Sequence, residues 1–259
     1  MSPDVLRALL GRVAEGRLPV DDALRALAHL PFEDLGFARV DHHRRVRTGF
    51  PEAVWGRNKT APQIAALVER MLEAGGPCLV TGVDAPKARA VLEALPEPAR
   101  ARTAHEPMPQ LLIAGEPLSP RGRGEIAVVA AGTSDLPVAE EAARTGEVLG
   151  MPVRRINDVG VAGLQRILAV REELEACEVV VVVAGMEGAL PAVVKGLVSR
   201  PVIGVPTSVG HGAALGGVTP MLGMLTACAP GLTVVNVDGG FSGGYAAAVI
   251  NLDRNRLDG

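Results

Sequence analysis

Four loops in the second half of the chain combine small residues with polar side chains in the manner of an anion-binding site. They are Gly132-Thr133-Ser134-Asp135, Gly185-Met186-Glu187-Gly188, Pro206-Thr207-Ser208 and Asp238-Gly239-Gly240. Each follows an apolar run that reads as a strand. Glycine lets a ligand come close to the backbone, and Ser or Thr ahead of a helix leaves amide donors open to an anion. Glu187 is a lone carboxylate beyond the most apolar run of the chain. Burial there is expected to raise its pKa towards that of a general base; the competing reading is a solvent-exposed turn residue. Ser134 and Asp135 read equally as helix caps or as ligand contacts. Asp135 and Asp238 also stand where carboxylates can hold Mg2+ against phosphates, a cation that usually takes one or two protein carboxylates. Cys228 lies on the stripe Met221, Leu225, Cys228, and this helical spacing predicts a buried core cysteine.

The first half carries the densest cationic segment, with Arg44, Arg45 and Arg47 followed by Lys59. It reads either as a solvated basic loop or as a phosphate contact, since Arg binds phosphate in a bidentate fork. Gly56-Arg-Asn-Lys59-Thr60 resembles the end of a P-loop, but Asn58 stands where that motif needs Gly, and no clear strand is expected ahead of it. His42 and His43 are adjacent, so in an extended segment they point to opposite faces and cannot share a metal. No GxGxxG follows a strand. His211, a lone histidine, supports no assignment by itself.

Helices and strands alternate through the region that presents these loops. Apolar runs at 125–131, 152–156, 178–184, 201–205 and 232–237 read as strands. Helical spacing is expected at 138–149, 161–175, 189–198, 215–228 and 243–252. Continuous apolar strands alternating with helices belong to a parallel sheet covered on both faces, and ligands bind such sheets at the carboxyl ends of the strands. This predicts a doubly wound α/β domain over residues 121–259. Residues 1–120 read as a smaller α+β domain. Helices are expected there at 3–14, 21–28, 60–73 and 87–95, with strands at 78–81 and 111–114. A basic irregular segment covers 41–51, and the Gly- and Pro-rich stretch 115–124 reads as a linker.

The composition narrows the class. The chain of 259 residues is 48% hydrophobic with a formal net charge of -3, which suits a globular protein with a sizeable core. It lacks the basic excess of a nucleic-acid binder. Three widely spaced cysteines make neither a disulfide framework nor a CxxC metal pair, and they fit a reducing cytoplasm. The first residues lack the pattern of a signal peptide, and Val179–Ala184 is too short to span a bilayer. A cytoplasmic protein with no membrane and no nucleic-acid partner is expected.

Gly132-Thr-Ser-Asp135, Ala184-Gly-Met-Glu-Gly-Ala-Leu-Pro191 and Pro201-Val-Ile-Gly-Val-Pro206 resemble the PurE family of aminoimidazole-ribonucleotide carboxylases and mutases, which have a flavodoxin-like fold. The wider pattern is closer to the LarB family. It includes Asp41-His-His-Arg44, Arg47-Thr-Gly-Phe-Pro-Glu52, Lys59-Thr60, Ala131-Gly-Thr-Ser-Asp-Leu-Pro-Val-Ala-Glu-Glu141 and Asn236-Val-Asp-Gly-Gly-Phe241. This resemblance covers nearly the whole chain. PurE enzymes carry an essential His in a Ser-Ala-His-Arg run after the second strand, where this chain has Arg155-Ile-Asn-Asp-Val159. Aminoimidazole chemistry is therefore disfavoured.

The LarB resemblance implies a definite reaction. CO2 or bicarbonate is added to C5 of the pyridinium ring of nicotinic acid adenine dinucleotide, and the phosphoanhydride is hydrolysed. The products are AMP and pyridinium-3,5-biscarboxylic acid mononucleotide, precursor of the nickel-pincer cofactor of lactate racemase. The resemblance makes Cys228 and Glu187 the catalytic pair, which sets aside the core reading of Cys228, and it implies a homo-octamer. It leaves Gly132, Thr133, Ser134, Asp135, Gly185, Met186, Gly188, Thr207, Ser208, Asp238, Arg45 and Lys59 as substrate contacts. Mg2+ is the expected cofactor, with no organic one. Alternatives are a PurE-like mutase and a non-catalytic nucleotide sensor, which would need neither a base at Glu187 nor a thiol at Cys228.

Overall fold

In the computed structural model, which describes residues 3–27 and 32–254, the chain forms two compact units that divide between Pro117 and Leu118. The division falls inside the Gly- and Pro-rich stretch. Ala28, the last residue of the second expected helix, lies outside the described residues.

The first unit opens with helices α1 (Pro3–Ala14) and α2 (Val20–Leu27), then a small hairpin of β1 (Glu33–Asp34) and β2 (Arg39–Val40). The basic segment is not irregular throughout, because it contains a short helix, α3 (Arg44–Thr48). Next come β3 (Ala53–Trp55), α4 (Ala61–Glu73), β4 (Cys78–Thr81), α5 (Ala85–Ala94), α6 (Glu97–Arg100), β5 (Thr103–Glu106) and β6 (Leu111–Ala114). Thr60 starts α4 through a reciprocal capping box with Gln63, which satisfies two amides that a helix start leaves open. The strands form a mixed sheet in the order β3-β4-β6-β5, with β3 and β4 parallel. Ile64, Val68, Val80, Val91 and Leu112 fill its core.

The second unit contains β7 (Ile126–Ala130), α7 (Leu136–Val148), β8 (Val153–Ile156), α8 (Leu164–Ala169), α9 (Arg171–Ala176) and β9 (Val179–Ala184). It continues with α10 (Leu190–Leu197), β10 (Val202–Pro206), α11 (Val218–Leu225), β11 (Leu232–Val234) and α12 (Gly240–Asn251). Every pairing is parallel, and the sheet order is β11-β10-β9-β7-β8. This is the flavodoxin-like order, in which the first and third strands of the sheet are neighbours and the chain leaves them in opposite senses. The run Val179–Ala184 is buried along its whole length. Val180, Val182 and Ala184 pack with Ile167, Leu190, Val194 and Met224, and α12 lies against α7 and β9. Helices therefore cover both faces, which is why the strands are apolar at every position rather than at alternate ones.

Two expected helices are shorter than their spacing suggested. The stretch 161–175 breaks at Val170 into α8 and α9 behind a 3-10 turn at Val161–Gly163. The stretch 215–228 is helical only as α11. Ahead of it Leu215 and Gly216 adopt φ of 50° and 62°, which no α-helix accommodates. Among the described residues, no helix is long and apolar enough to cross a membrane.

Candidate functional site

β7 and β9 are neighbours, and the crevice between their outgoing loops is where a sheet of this topology binds its ligand. A cavity of about 380 Å³ opens there. Its walls come from Gly132–Asp135 after β7, Asp158 and Gly160 after β8, Arg166 of α8, Ala184–Glu187 after β9, and Val209 after β10. Thr133 and Ser134 are exposed on it, whereas Asp135 beneath them is buried.

Asp135 ties the loops together. Its Oδ2 accepts the Gly132 amide at 3.0 Å and its Oδ1 accepts the Thr207 hydroxyl at 2.7 Å. The Gly185 amide also bonds to it. Burial pushes the Asp135 carboxyl above its ordinary value, and these three donors oppose the shift. Gly185 permits this approach: a Cβ there would sit 2.3 Å from the Val209 carbonyl and 2.6 Å from Thr207 Oγ1. Thr207 is fully buried, and neighbouring Ser208 is exposed with its amide on Asp238 Oδ1 at 2.8 Å. Asp135 thus caps the short turn Thr133–Asp135 through the Gly132 amide, as its cap reading expects, and through Thr207 it also serves as a buried bracket between loops.

Residues 32–114 match the model of the LarB/PurE-like N-terminal domain, and residues 125–258 match that of AIR carboxylase. The chain belongs to the LarB family. An uncharacterized protein of Methanocaldococcus jannaschii is 34% identical over 255 residues, covering 95% of this chain and 96% of that one. Among solved structures, a variant of Treponema denticola PurE2 aligns at 19% identity and a TM-score of 0.43, covering 54% of this chain and 86% of that one. LarB and PurE enzymes are carboxylase-type catalysts, and the PurE-like half of this LarB-family chain is the half that holds the crevice.

Glu187 and Cys228, the pair that the LarB resemblance implies, are placed unlike the expectation from residue pattern alone. Glu187 is exposed, not desolvated. Met186, at a φ of 53°, and Gly188, at 72°, turn the loop outwards, so Met186 and Glu187 both reach the rim of the cavity. The buried carboxylate of the crevice is Asp135 instead. Cys228 is not a core residue. α11 ends at Leu225, its buried side chains are Pro220 and Met224, and both Leu225 and Cys228 are exposed. Cys78 and Cys177 are the buried cysteines, with burial pushing both thiols up, Cys78 to about 12. Cys228 does not line the cavity. It follows α11, which leans on the Glu187 loop so closely that a Cβ at Gly223 would lie 2.6 Å from the Glu187 carbonyl.

In the first unit, Arg45 Nη1 donates to the Gly75 carbonyl at 3.0 Å and Lys59 Nζ to the Trp55 carbonyl at 3.2 Å. Arg47 pairs with Asp41 at 2.6 Å and holds that carboxyl below its ordinary range. His42 meets Glu33 at 3.0 Å. A strand does precede Gly56-Arg-Asn-Lys59-Thr60, namely β3, contrary to expectation. The Thr60 hydroxyl is nonetheless taken by the Gln63 amide, so it caps α4 as an ordinary helix start does.

The donor set bears on Mg2+. Both Asp135 oxygens already accept donors of the chain and the side chain is buried, which leaves Asp238 the more open of the two carboxylates expected to meet Mg2+. Asp238 is exposed and commits Oδ1 to Ser208. Among the described residues, no group of three or more His, Cys, Asp or Glu side chains is arranged to hold a metal. Arg166 and Asp158 escaped the sequence reading. Both line the cavity, and they pair at 2.8 Å. Arg166 sits ten residues beyond β8 on a helix, where its sequence context is that of an ordinary solvated arginine.

Proposed function

We propose that this LarB-family protein adds CO2, drawn from bicarbonate, to C5 of the pyridinium ring of nicotinic acid adenine dinucleotide and hydrolyses the phosphoanhydride. The products are AMP and pyridinium-3,5-biscarboxylic acid mononucleotide, for the nickel-pincer cofactor of lactate racemase in the cytoplasm. The observation that carries the reading is the accessibility of the pair: Glu187 on the rim of the crevice, and Cys228 as the one exposed cysteine of three.

A pyridinium is electron-poor and does not attack CO2. The Cys228 thiolate adds to C6, and the new C–S bond turns the ring into an enamine whose C5 is nucleophilic. The bound cationic ring favours the thiolate that attacks it. C5 then bonds to CO2. Glu187 takes the C5 proton, the C–S bond breaks, and its electron pair returns to sulfur as the ring regains aromaticity. Thr133, Ser134 and the glycines of the crevice bind the mononucleotide half. Arg45 and Lys59 act on the pyrophosphate or adenylate half. Asp238 is the protein carboxylate that would hold Mg2+, which when bound would supply charge neutralisation at the phosphates.

Because Cys228 lies off the cavity of its own subunit, we include assembly in the proposal: a homo-octamer in which neighbouring copies complete each site. Leu222 and Leu225 of α11 and Val249 of α12 are exposed apolar side chains suited to that contact. A stable monomer by light scattering at micromolar concentration would rule it out. The reaction itself is tested by incubating the protein with dinucleotide, bicarbonate and Mg2+ and analysing products by mass spectrometry. Wild type should give AMP and the dicarboxylated mononucleotide. Glu187→Gln should accumulate a protein adduct mapping to Cys228, and Cys228→Ser should form neither adduct nor product. Full carboxylation by Cys228→Ser would defeat the mechanism; nucleotide binding without turnover would indicate a sensor.

A further inference from the structure

The cavity beside β7 and β9 is lined by three carboxylates, Asp135, Asp158 and Glu187, and by Arg166 as its one arginine or lysine among the described residues. Asp135 is spent on loop donors, so the charges left to a ligand are those of Glu187, Asp158 and Arg166. Such a lining suits a zwitterion: acidic groups for a cationic ring, and one guanidinium for an anionic substituent.

Arg166 is placed for that task by its surroundings. Its guanidinium lies over the turn after β8, where a Cβ at Gly163 would come within 2.8 Å of Nε. Glycine there leaves room for the arginine to fold across the turn rather than extend into solvent. Its partner Asp158 adopts a φ of 59°, a left-handed conformation that Asp takes more readily than most residues, so the turn after β8 can present its carboxylate beside the guanidinium. The side chains of Arg166 and Asp158 are 45% and 60% exposed, and ion pairs this exposed are weak. A ligand anion therefore displaces Asp158 at little cost and gains charge-assisted hydrogen bonds to a guanidinium.

We infer that Arg166 is the anion anchor of the crevice, exchanging Asp158 for an anionic oxygen group on the pyridinium nucleotide, either the ring carboxylate or the phosphate. This rests on the proposed function for the ligand class and adds the residue that selects it. The test is calorimetric titration of wild type, Arg166→Ala and Asp158→Asn with three probes: nicotinic acid mononucleotide, nicotinamide mononucleotide and nicotinic acid riboside. Arg166→Ala should weaken nicotinic acid mononucleotide about 10- to 100-fold, the scale of a lost charge-assisted bond. Asp158→Asn, which removes the competing carboxylate, should tighten it. A loss that vanishes with the nicotinamide probe assigns the ring carboxylate; one that vanishes with the riboside assigns the phosphate. Unchanged affinity in Arg166→Ala would overturn the inference. So would a loss in Asp158→Asn matching that in Arg166→Ala, because the two would then share a purely structural role. Binding of no probe by wild type would sink the proposed substrate, and this inference with it. Thermal unfolding of each variant separates lost binding from lost fold.

Discussion

Replacing Thr207 by valine deletes one hydroxyl from the floor of the crevice and keeps the side-chain volume nearly constant. Thr207 is fully buried, and its Oγ1 donates to Asp135 at 2.7 Å. A buried hydrogen bond to a charged group contributes about 1.5–3 kcal/mol. The variant should lose about that much stability at alkaline pH, where Asp135 is ionised, or about 3–12 °C in Tm for a domain of this size. The loss must also depend on pH. Burial holds the Asp135 carboxyl above its ordinary value of 3.8, so the folded chain binds that proton more tightly than the unfolded chain does. The contribution of this group to stability therefore falls as pH rises from the unfolded value through the folded one. The Thr207 hydroxyl favours the ionised form, and without it the carboxyl is pushed higher still. The deficit of Thr207→Val is consequently largest above the variant's own titration and shrinks as pH falls towards about 4, where the protonated carboxyl has less need of a donor. Urea and thermal unfolding at the two ends of that range would measure it. A deficit below about 0.5 kcal/mol at alkaline pH, or one independent of pH, would refute the bracket role.

In the native protein a thiol reagent should modify Cys228 and spare buried Cys78 and Cys177; intact-mass analysis showing two or three modified thiols would contradict that placement. Gly185→Ala should cost about 1–3 kcal/mol by overpacking, since its methyl would lie 2.3 Å from the Val209 carbonyl. A parental Tm would show that the loop moves aside freely. Asp238→Asn keeps an acceptor for the Ser208 amide and should unfold within about 0.5 kcal/mol of wild type, while dinucleotide hydrolysis at limiting Mg2+ declines. Normal hydrolysis by this variant would remove Asp238 from the metal proposal.

The second unit was legible because its signal is redundant. Val179–Ala184 has no polar residue to mark a solvent face, and only a strand covered on both sides tolerates that. The first unit was less so. β5, Thr-Ala-His-Glu, has no apolar pattern of its own; it is a strand because Ala104 and His105 pair with Ile113 and Leu112 of a buried one. α3 lies in a run of arginines that shows no hydrophobic period, and its end is set by Gly49 at a φ of 81°. For β5 the neighbouring strand decides the conformation, and single-segment periodicity does not contain it; for α3 the local signal is the glycine stop rather than a hydrophobic period.

The site divides along the same line. Loops of small residues at strand ends are local, and Gly132–Asp135 and Gly185–Glu187 do meet around one cavity. Which carboxylate is buried is not local. Glu187 sits after the most buried strand yet points to the rim, and Asp135 becomes the buried acid because Thr207, 72 positions later, donates to it. Cys228 shows the limit most plainly. Val218, Met221, Leu222, Met224 and Leu225 place apolar side chains all round α11, so spacing cannot choose its inner face. In the fold Pro220 and Met224 face the core, and Leu222 and Leu225 are left exposed at 52% and 60%. A helix apolar all round is normally buried on every side. One chain covers only the face bearing Met224. The uncovered face runs to the end of α11, three residues before the exposed Cys228, and it is the face that the second copy in the proposed assembly would cover.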